Sequence, residues 1–258
     1  MISLGQAIGP SFLPLIAYLI GAFGFTWIFH FQIARKNLSV EKGQGFILYW
    51  LGLPGPTLAA IVVAIAFGFT NQIALSIRVR PIPLQWWLLA IFIIPAIYTI
   101  AIILSSIRTG NKPRLSFHRP KQGWVALLLG QLYVVFSEEI GWRGFALPLL
   151  LSIFGKVGGT LILGLIWASW HLPMFSVPTS HQKGAFWHYM YSMIVWSFIM
   201  TILVVKNEGN ILPAMAFHAA ANISYFVMDI PDEAEKYISI LLGLVLLLIL
   251  WLMSSPLI

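Results

Sequence analysis

The stretch Phe136–Leu150, FSEEIGWRGFALPLL, sets two adjacent glutamates, Glu138 and Glu139, inside a long apolar segment. The chain holds only eight acidic residues. The other six, Glu41, Glu208, Asp229, Asp232, Glu233 and Glu235, fall at the ends of apolar runs or between them. A carboxylate at the centre of a membrane helix costs about 2.5–3.5 kcal/mol on insertion scales. Two of them side by side call for a reason, and inside a membrane the default reason is function.

Outward from that stretch, the composition is that of a polytopic membrane protein. Apolar residues make up 59% of the chain and charged ones 9%, against about 25% charged in a soluble domain. The expected fold class is all-α, a transmembrane helical bundle of about eight spans in one membrane domain, residues 1–258. The spans are predicted near 11–33, 45–70, 83–106, 123–150, 157–175, 185–205, 210–229 and 236–254, each close to the ~20 residues a bilayer needs. The string Gly52–Pro56, GLPGP, should kink or break the second. There is no cysteine, so disulfides, thiolate catalysis and cysteine metal sites are excluded. The net charge of +7 is read as basic loops facing anionic lipid, not as a nucleic-acid surface. The first ten residues carry no Lys or Arg, so no cleaved signal peptide is expected.

Basic residues set the expected orientation. Arg35, Lys36, Lys42, Arg108, Lys112, Arg114, Arg119, Lys121, Lys183 and Lys236 fall in odd-numbered loops, and Arg78, Arg80, Lys156 and Lys206 in even-numbered ones. The bias predicts cytoplasmic odd loops and both termini outside. The membrane is expected to be a bacterial plasma membrane.

Three segments carry polar groups within spans. Glu139 and Arg143 are four apart and share a helical face, so they can pair and neutralise each other. Glu138 points about 100° away and has no partner on its own helix. Gly141 and Gly144 are small enough to admit a neighbouring helix. In Gly164–Phe175, GLIWASWHLPMF, His171 precedes Pro173, which weakens the helix where a polar cavity can open. The plain alternative is an interfacial histidine beside Trp167 and Trp170. In Asn210–Phe226, NILPAMAFHAAANISYF, Pro213 fits a first helical turn. His218 and Asn222 share a face, able to donate to one oxygen or simply to join helices. His30, His118, His181 and His188 are read as interfacial or solvated. A structural ion-pair network is the plain account of Glu138, Glu139 and Arg143. Taken together, the three segments form an inventory for hydrolysis by water: Glu138 as base with His171 beside it, and His218 and Asn222 for an oxyanion.

These motifs resemble those of the CPBP intramembrane protease family, the CAAX-prenyl endopeptidases and bacteriocin-processing or immunity proteins also called Abi. The family's Glu-Glu-x-x-x-Arg is met by Glu138, Glu139 and Arg143. Its Phe-x-x-x-His is met by WASWH, ending in His171, with Trp167 in the aromatic place. Its His-x-x-x-Asn is met by His218 and Asn222. The likeness covers roughly 120–225. It implies an intramembrane endopeptidase acting on membrane-associated peptides, with a catalytic first glutamate and a second held by the arginine. Cofactor need stays open: the family is commonly labelled a metalloprotease, and Glu138, His171 and His218 are possible zinc ligands. The local pattern His-Glu-x-x-His is absent, and a metal-free glutamate mechanism is preferred. An aspartyl type lacks its two intramembrane aspartates, and no serine stands in a Gly-x-Ser-Gly setting. A transporter using the Glu–Arg–His network and a non-catalytic immunity or scaffold relative are the other expectations.

Overall fold

In a computed structural model, residues 12–177 and 185–254 are described. His181, Lys183 and the first ten residues lie outside them. The chain forms α1 (Phe12–Arg35), α2 (Gly43–Gly52), α3 (Gly55–Phe67), α4 (Thr70–Ser76), α5 (Leu84–Thr109) and α6 (Trp124–Glu139). A π-helical segment, Ile140–Ala146, leads into α7 (Leu147–Trp170), followed by α8 (Phe186–Lys206), α9 (Leu212–Val227) and α10 (Glu235–Ser254). Among the described residues there is one isolated antiparallel bridge, Phe117 to Met228, and no strand. The architecture is the expected all-α polytopic bundle.

Six helical segments are long and apolar enough to cross a membrane: Phe12–Arg35, Gly43–Phe67, Leu84–Thr109, Trp124–Ser176, Phe186–Lys206 and Asp232–Ser254. Length and composition thus give six where the sequence led us to expect eight, for two physical reasons. The expected spans 123–150 and 157–175 lie in one helical run of 53 residues. That run turns back at Gly155, whose φ of 71° and ψ of 177° are not helical. A Cβ at Gly159 would stand 2.6 Å from the Leu150 backbone, whereas nine residues of straight helix span about 13 Å. The expected span 210–229 is the 16-residue α9, shorter than the ~20 residues of a full crossing.

Lipid-like surroundings explain the inverted surface. Ile20 of α1, Ile65 of α3, Val125 of α6 and Leu244 of α10 all point outward, exposed. In lipid such faces carry no hydrophobic penalty, and helices associate by close packing and internal polar contacts. α8 is the innermost helix, buried almost continuously from Met193 to Val204. Thr160 of α7 joins it by a 3.2 Å hydrogen bond to Thr201.

The GLPGP string breaks its helix as expected, ending α2 at Gly52 and starting α3 at Gly55. The break is built into the core. The Thr26 hydroxyl donates to the Gly52 carbonyl at 2.8 Å, which re-satisfies a backbone group freed by the break. Pro56 then packs on Gly141 so closely that a Cβ there would lie 2.5 Å from the Pro56 backbone. That contact fixes the depth of the glutamate-bearing segment against α3.

His30 corrects the sequence reading. It is 2% exposed, stacked on Tyr49 at 5.4 Å between ring centroids and 6.1 Å from Trp170. The break at Gly52 lets α2 lie against α1, and the Tyr49 ring covers the imidazole. His118 and His188 are exposed as expected, and His118 lies 3.6 Å from Asp229.

Gly141→Ala should lower the thermal midpoint in detergent, with a cost of about 1–3 kcal/mol from overpacking against Pro56. Gly24→Ala, where an added Cβ meets nothing within 4 Å, should leave the midpoint unchanged. Equal midpoints for the two variants would refute this account of the contact.

Candidate active site

The two glutamates close α6, and the π-helical segment begins directly after them. A π-turn widens the helix and frees carbonyls that the bilayer cannot satisfy. Here the Gln72 amide, from α4, donates to the Gly144 carbonyl at 2.9 Å. The segment is buried throughout, from Gly141 to Ala146.

Glu139 and Arg143 have no exposed side-chain surface and stand 3.0 Å apart. The i, i+4 pairing read from the sequence is therefore present. Glu139 has a second partner that spacing cannot reveal: the His218 Nδ1–H donates to its Oε1 at 2.7 Å. The guanidinium in turn reaches the Ser197 hydroxyl at 3.3 Å and lies over the Trp167 ring, 4.0 Å from its centroid. Two buried charges are thus compensated by each other, by hydrogen bonds to α8 and α9 and by the Trp167 ring of α7, as a buried ion pair requires.

Glu138 is 2% exposed and accepts a 2.8 Å hydrogen bond from the Trp167 indole N–H. Trp167 also meets Arg143, His218 and His171. Its ring faces Arg143, and His218 meets it edge-on at 5.3 Å. Its carbonyl accepts from His171 Nδ1 at 2.8 Å. A carbonyl only accepts, so His171 carries its proton on Nδ1, and Nε2 is the basic nitrogen. α7 ends at Trp170 and a 3-10 turn, Leu172–Ser176, follows. Proline at that turn stops the helix, and His171 sits at the stop.

Asn222 lies one turn from His218 on α9, partly exposed, and its Nδ2–H donates to Gln131 Oε1 at 2.9 Å. Gln131 was not singled out from the sequence. A lone amide seven residues before Glu138 in an apolar run was the available signal, since that spacing is two helical turns.

Among the described residues, the group whose possible ligand atoms lie within 4.8 Å of one another is Glu138, Glu139 and His218. His171 is not in this group. The donor chemistry of two carboxylates and an imidazole suits a hard or borderline divalent cation. One of those carboxylates, however, already answers the fixed charge of Arg143.

Residues 120–224 match the family model of the type II CAAX prenyl endopeptidase Rce1-like proteins. A protein described as CAAX prenyl protease 2, from Methanococcus maripaludis, is 25% identical over 239 residues, covering 84% of this chain and 86% of that one. The molecule is an integral membrane protein of the intramembrane endopeptidase class. Both likenesses agree with the resemblance of its three motifs to the CPBP family.

Arg143→Met should lower the thermal midpoint, because it leaves Glu139 buried without its charge partner, a loss of about 3–5 kcal/mol. Adding Glu139→Gln should recover part of that loss. No recovery in the double variant would count against the pairing as its cause. Trp167→Phe keeps the ring and removes the N–H held by Glu138. Peptide cleavage by the folded variant should fall about tenfold or more, the scale of one hydrogen bond to a charged group.

Proposed function

We propose that the chain hydrolyses peptide bonds of membrane-associated substrates, with Glu138 as the general base. The observation that carries this reading is the unequal engagement of the two glutamates. Glu139 is taken up by Arg143 and His218, whereas Glu138 accepts a neutral indole N–H. A carboxylate hydrogen-bonded to a guanidinium is a poor base, and one whose hydrogen bond comes from a neutral indole is better able to take a proton.

In this mechanism Glu138 takes a proton from water, with the His171 Nε2 accepting a hydrogen bond from that water and holding it in place. The hydroxide adds to the scissile carbonyl carbon, and the carbonyl oxygen becomes an oxyanion. Asn222 donates to it through Nδ2, and His218 through Nε2 when the ring carries both protons, with Glu139 as its counter-charge. Collapse breaks the C–N bond, and the proton held by Glu138 passes to the leaving amine. Glu139 and Arg143 support and orient the site.

The preferred mechanism needs no metal. In the alternative, Glu138, His171 and His218 would hold a zinc ion, which supplies Lewis-acid activation of water or carbonyl. The tautomer set at His171 by a backbone carbonyl, and at His218 by a carboxylate, presents Nε2 in each case. That is the usual arrangement of metal-binding histidines as well. The Arg143 charge beside the carboxylates favours the metal-free reading, since it already supplies positive charge there.

The relative's description makes a lipid-bearing peptide, with its modified residue near the C-terminus, the first substrate class to try. The bacterial plasma membrane expected for the chain belongs to the same proposal. Purified protein in liposomes, given anchored and prenylated peptides, should cut at least one of them. Glu138→Gln should reduce that cutting by at least about a hundredfold, the general-base range. Equal cutting by Glu138→Gln would remove Glu138 from the role. Exhaustive chelation should leave the wild-type rate unchanged, and its abolition, restored by added zinc, would establish the metal alternative.

A further inference from the structure

α6 and α9 face each other through two polar contacts of opposite order along the chain. Glu139 takes the His218 Nδ1–H at 2.7 Å, and Gln131 takes the Asn222 Nδ2–H at 2.9 Å. The helices are therefore antiparallel at this point. The two acceptors are eight residues apart on α6, about 12 Å, and the two donors four apart on α9, about 6 Å. Both contacts thus converge from α6 onto a single turn of α9. Glu138 lies between Gln131 and Glu139 in the sequence and two turns from Gln131.

The two contacts do the same kind of work. Glu139 fixes which nitrogen of His218 carries a committed proton. Gln131 fixes which end of the Asn222 amide is which. A primary amide has a donor end and an acceptor end of nearly the same shape. An oxyanion is stabilised by the donor end and repelled by the acceptor end. Nothing in an apolar helix tells the two apart unless a neighbour does. Gln131 is 7% exposed, and its carbonyl oxygen holds one of the two Asn222 N–H groups. That fixes the plane and leaves the second N–H of the same nitrogen available to a substrate oxygen.

We propose that Gln131 is a positioning residue of the oxyanion site, acting through Asn222 by setting the donor end of its amide. This rests on the reading of Asn222 as an oxyanion donor. Gln131 does not touch the reacting atoms, so its loss affects the rate of the chemical step and not substrate capture. An acceptor is all that the position requires. Glutamate keeps a carbonyl oxygen at the position whether or not it is protonated, whereas leucine offers none.

The test uses the full chain in liposomes with a cleaved peptide substrate and compares Gln131→Leu, Gln131→Glu, Asn222→Ala and the double variant Gln131→Leu/Asn222→Ala. For Gln131→Leu, kcat should fall about tenfold, a fraction of the 10²–10³ lost with a whole oxyanion donor, with KM changed less than about twofold. The thermal midpoint should not fall, because leucine is at home in an apolar segment. Gln131→Glu should restore most of the lost kcat. The double variant should be no slower than Asn222→Ala alone, since a residue acting through Asn222 has nothing to act on once it is gone. Full activity of Gln131→Leu, failure of glutamate to rescue, or additive losses in the double variant would each overturn the proposal. So would unchanged kcat in Asn222→Ala, which removes the oxyanion role of Asn222. The base role of Glu138 is tested separately by Glu138→Gln.

Discussion

The Glu139 carboxylate, shared between Arg143 and His218, is the interaction on which the rest of the site depends. Neither charge has any exposed surface, and neither would be tolerable in the membrane alone. By pairing along its own helix and bonding across to α9, Glu139 lets α6, the π-helical segment and α9 meet at a polar centre. Ser197 of α8 and the Trp167 ring of α7 take up the other sides of the guanidinium. One carboxylate thus gathers five helical elements around the point where its neighbour Glu138 stands.

Trp167 distributes that geometry. It bonds Glu138 through its N–H, holds His171 through its carbonyl, and offers its face to Arg143 and His218. The family pattern as read from the sequence has phenylalanine in this place, which can provide the ring and the carbonyl but not the N–H. The tryptophan therefore gives this chain a contact to Glu138 that a phenylalanine in its place could not make. The indole is also large, and the close approach of Gly164 to the Ile194 backbone on α8, 2.8 Å from a built Cβ, is what brings α7 near enough for its bulk to reach the glutamates.

Local periodicity made part of this legible. The Glu139–Arg143 pair, the shared face of His218 and Asn222, the break at GLPGP and the close approach at Gly141 all follow from spacing within one helix or from the smallness of a side chain. What spacing could not reveal lies between helices. The bond from His218 to Glu139 joins residues 79 apart, and that from Asn222 to Gln131 joins residues 91 apart. Gln131 carries no charge and so does not stand out in an apolar run as a glutamate does. His30 was misread because its position near the end of α1 resembles an interface, while its burial comes from α2 folding against it. The reversal at Gly155 falls in the gap between the expected spans 123–150 and 157–175, beside Lys156, so that turn was legible although the helical run continues through it.

The site is graded in exposure, and the gradient has a direction. Glu139 is fully buried, Glu138 and His218 nearly so, and Asn222 partly open. Asn222 lies five residues from the end of α9 at Val227, and Gln131, its partner, seven from the start of α6 at Trp124. Exposure of these residues therefore rises toward the end of the bundle where α6 begins and α9 finishes. That end is covered by the segment before α6, which is tied to the end of α9 by the His118 amide donating to the Val227 carbonyl at 2.7 Å and the Asp229 amide to the Ser116 carbonyl at 3.0 Å. The tied segment is flanked by Arg108, Lys112, Arg114, Arg119 and Lys121. The orientation expected from the sequence puts those basic charges on the cytoplasmic side, yet Asp229, Asp232, Glu233 and Glu235 follow α9 at the same end, so the rim of the site carries charges of both signs.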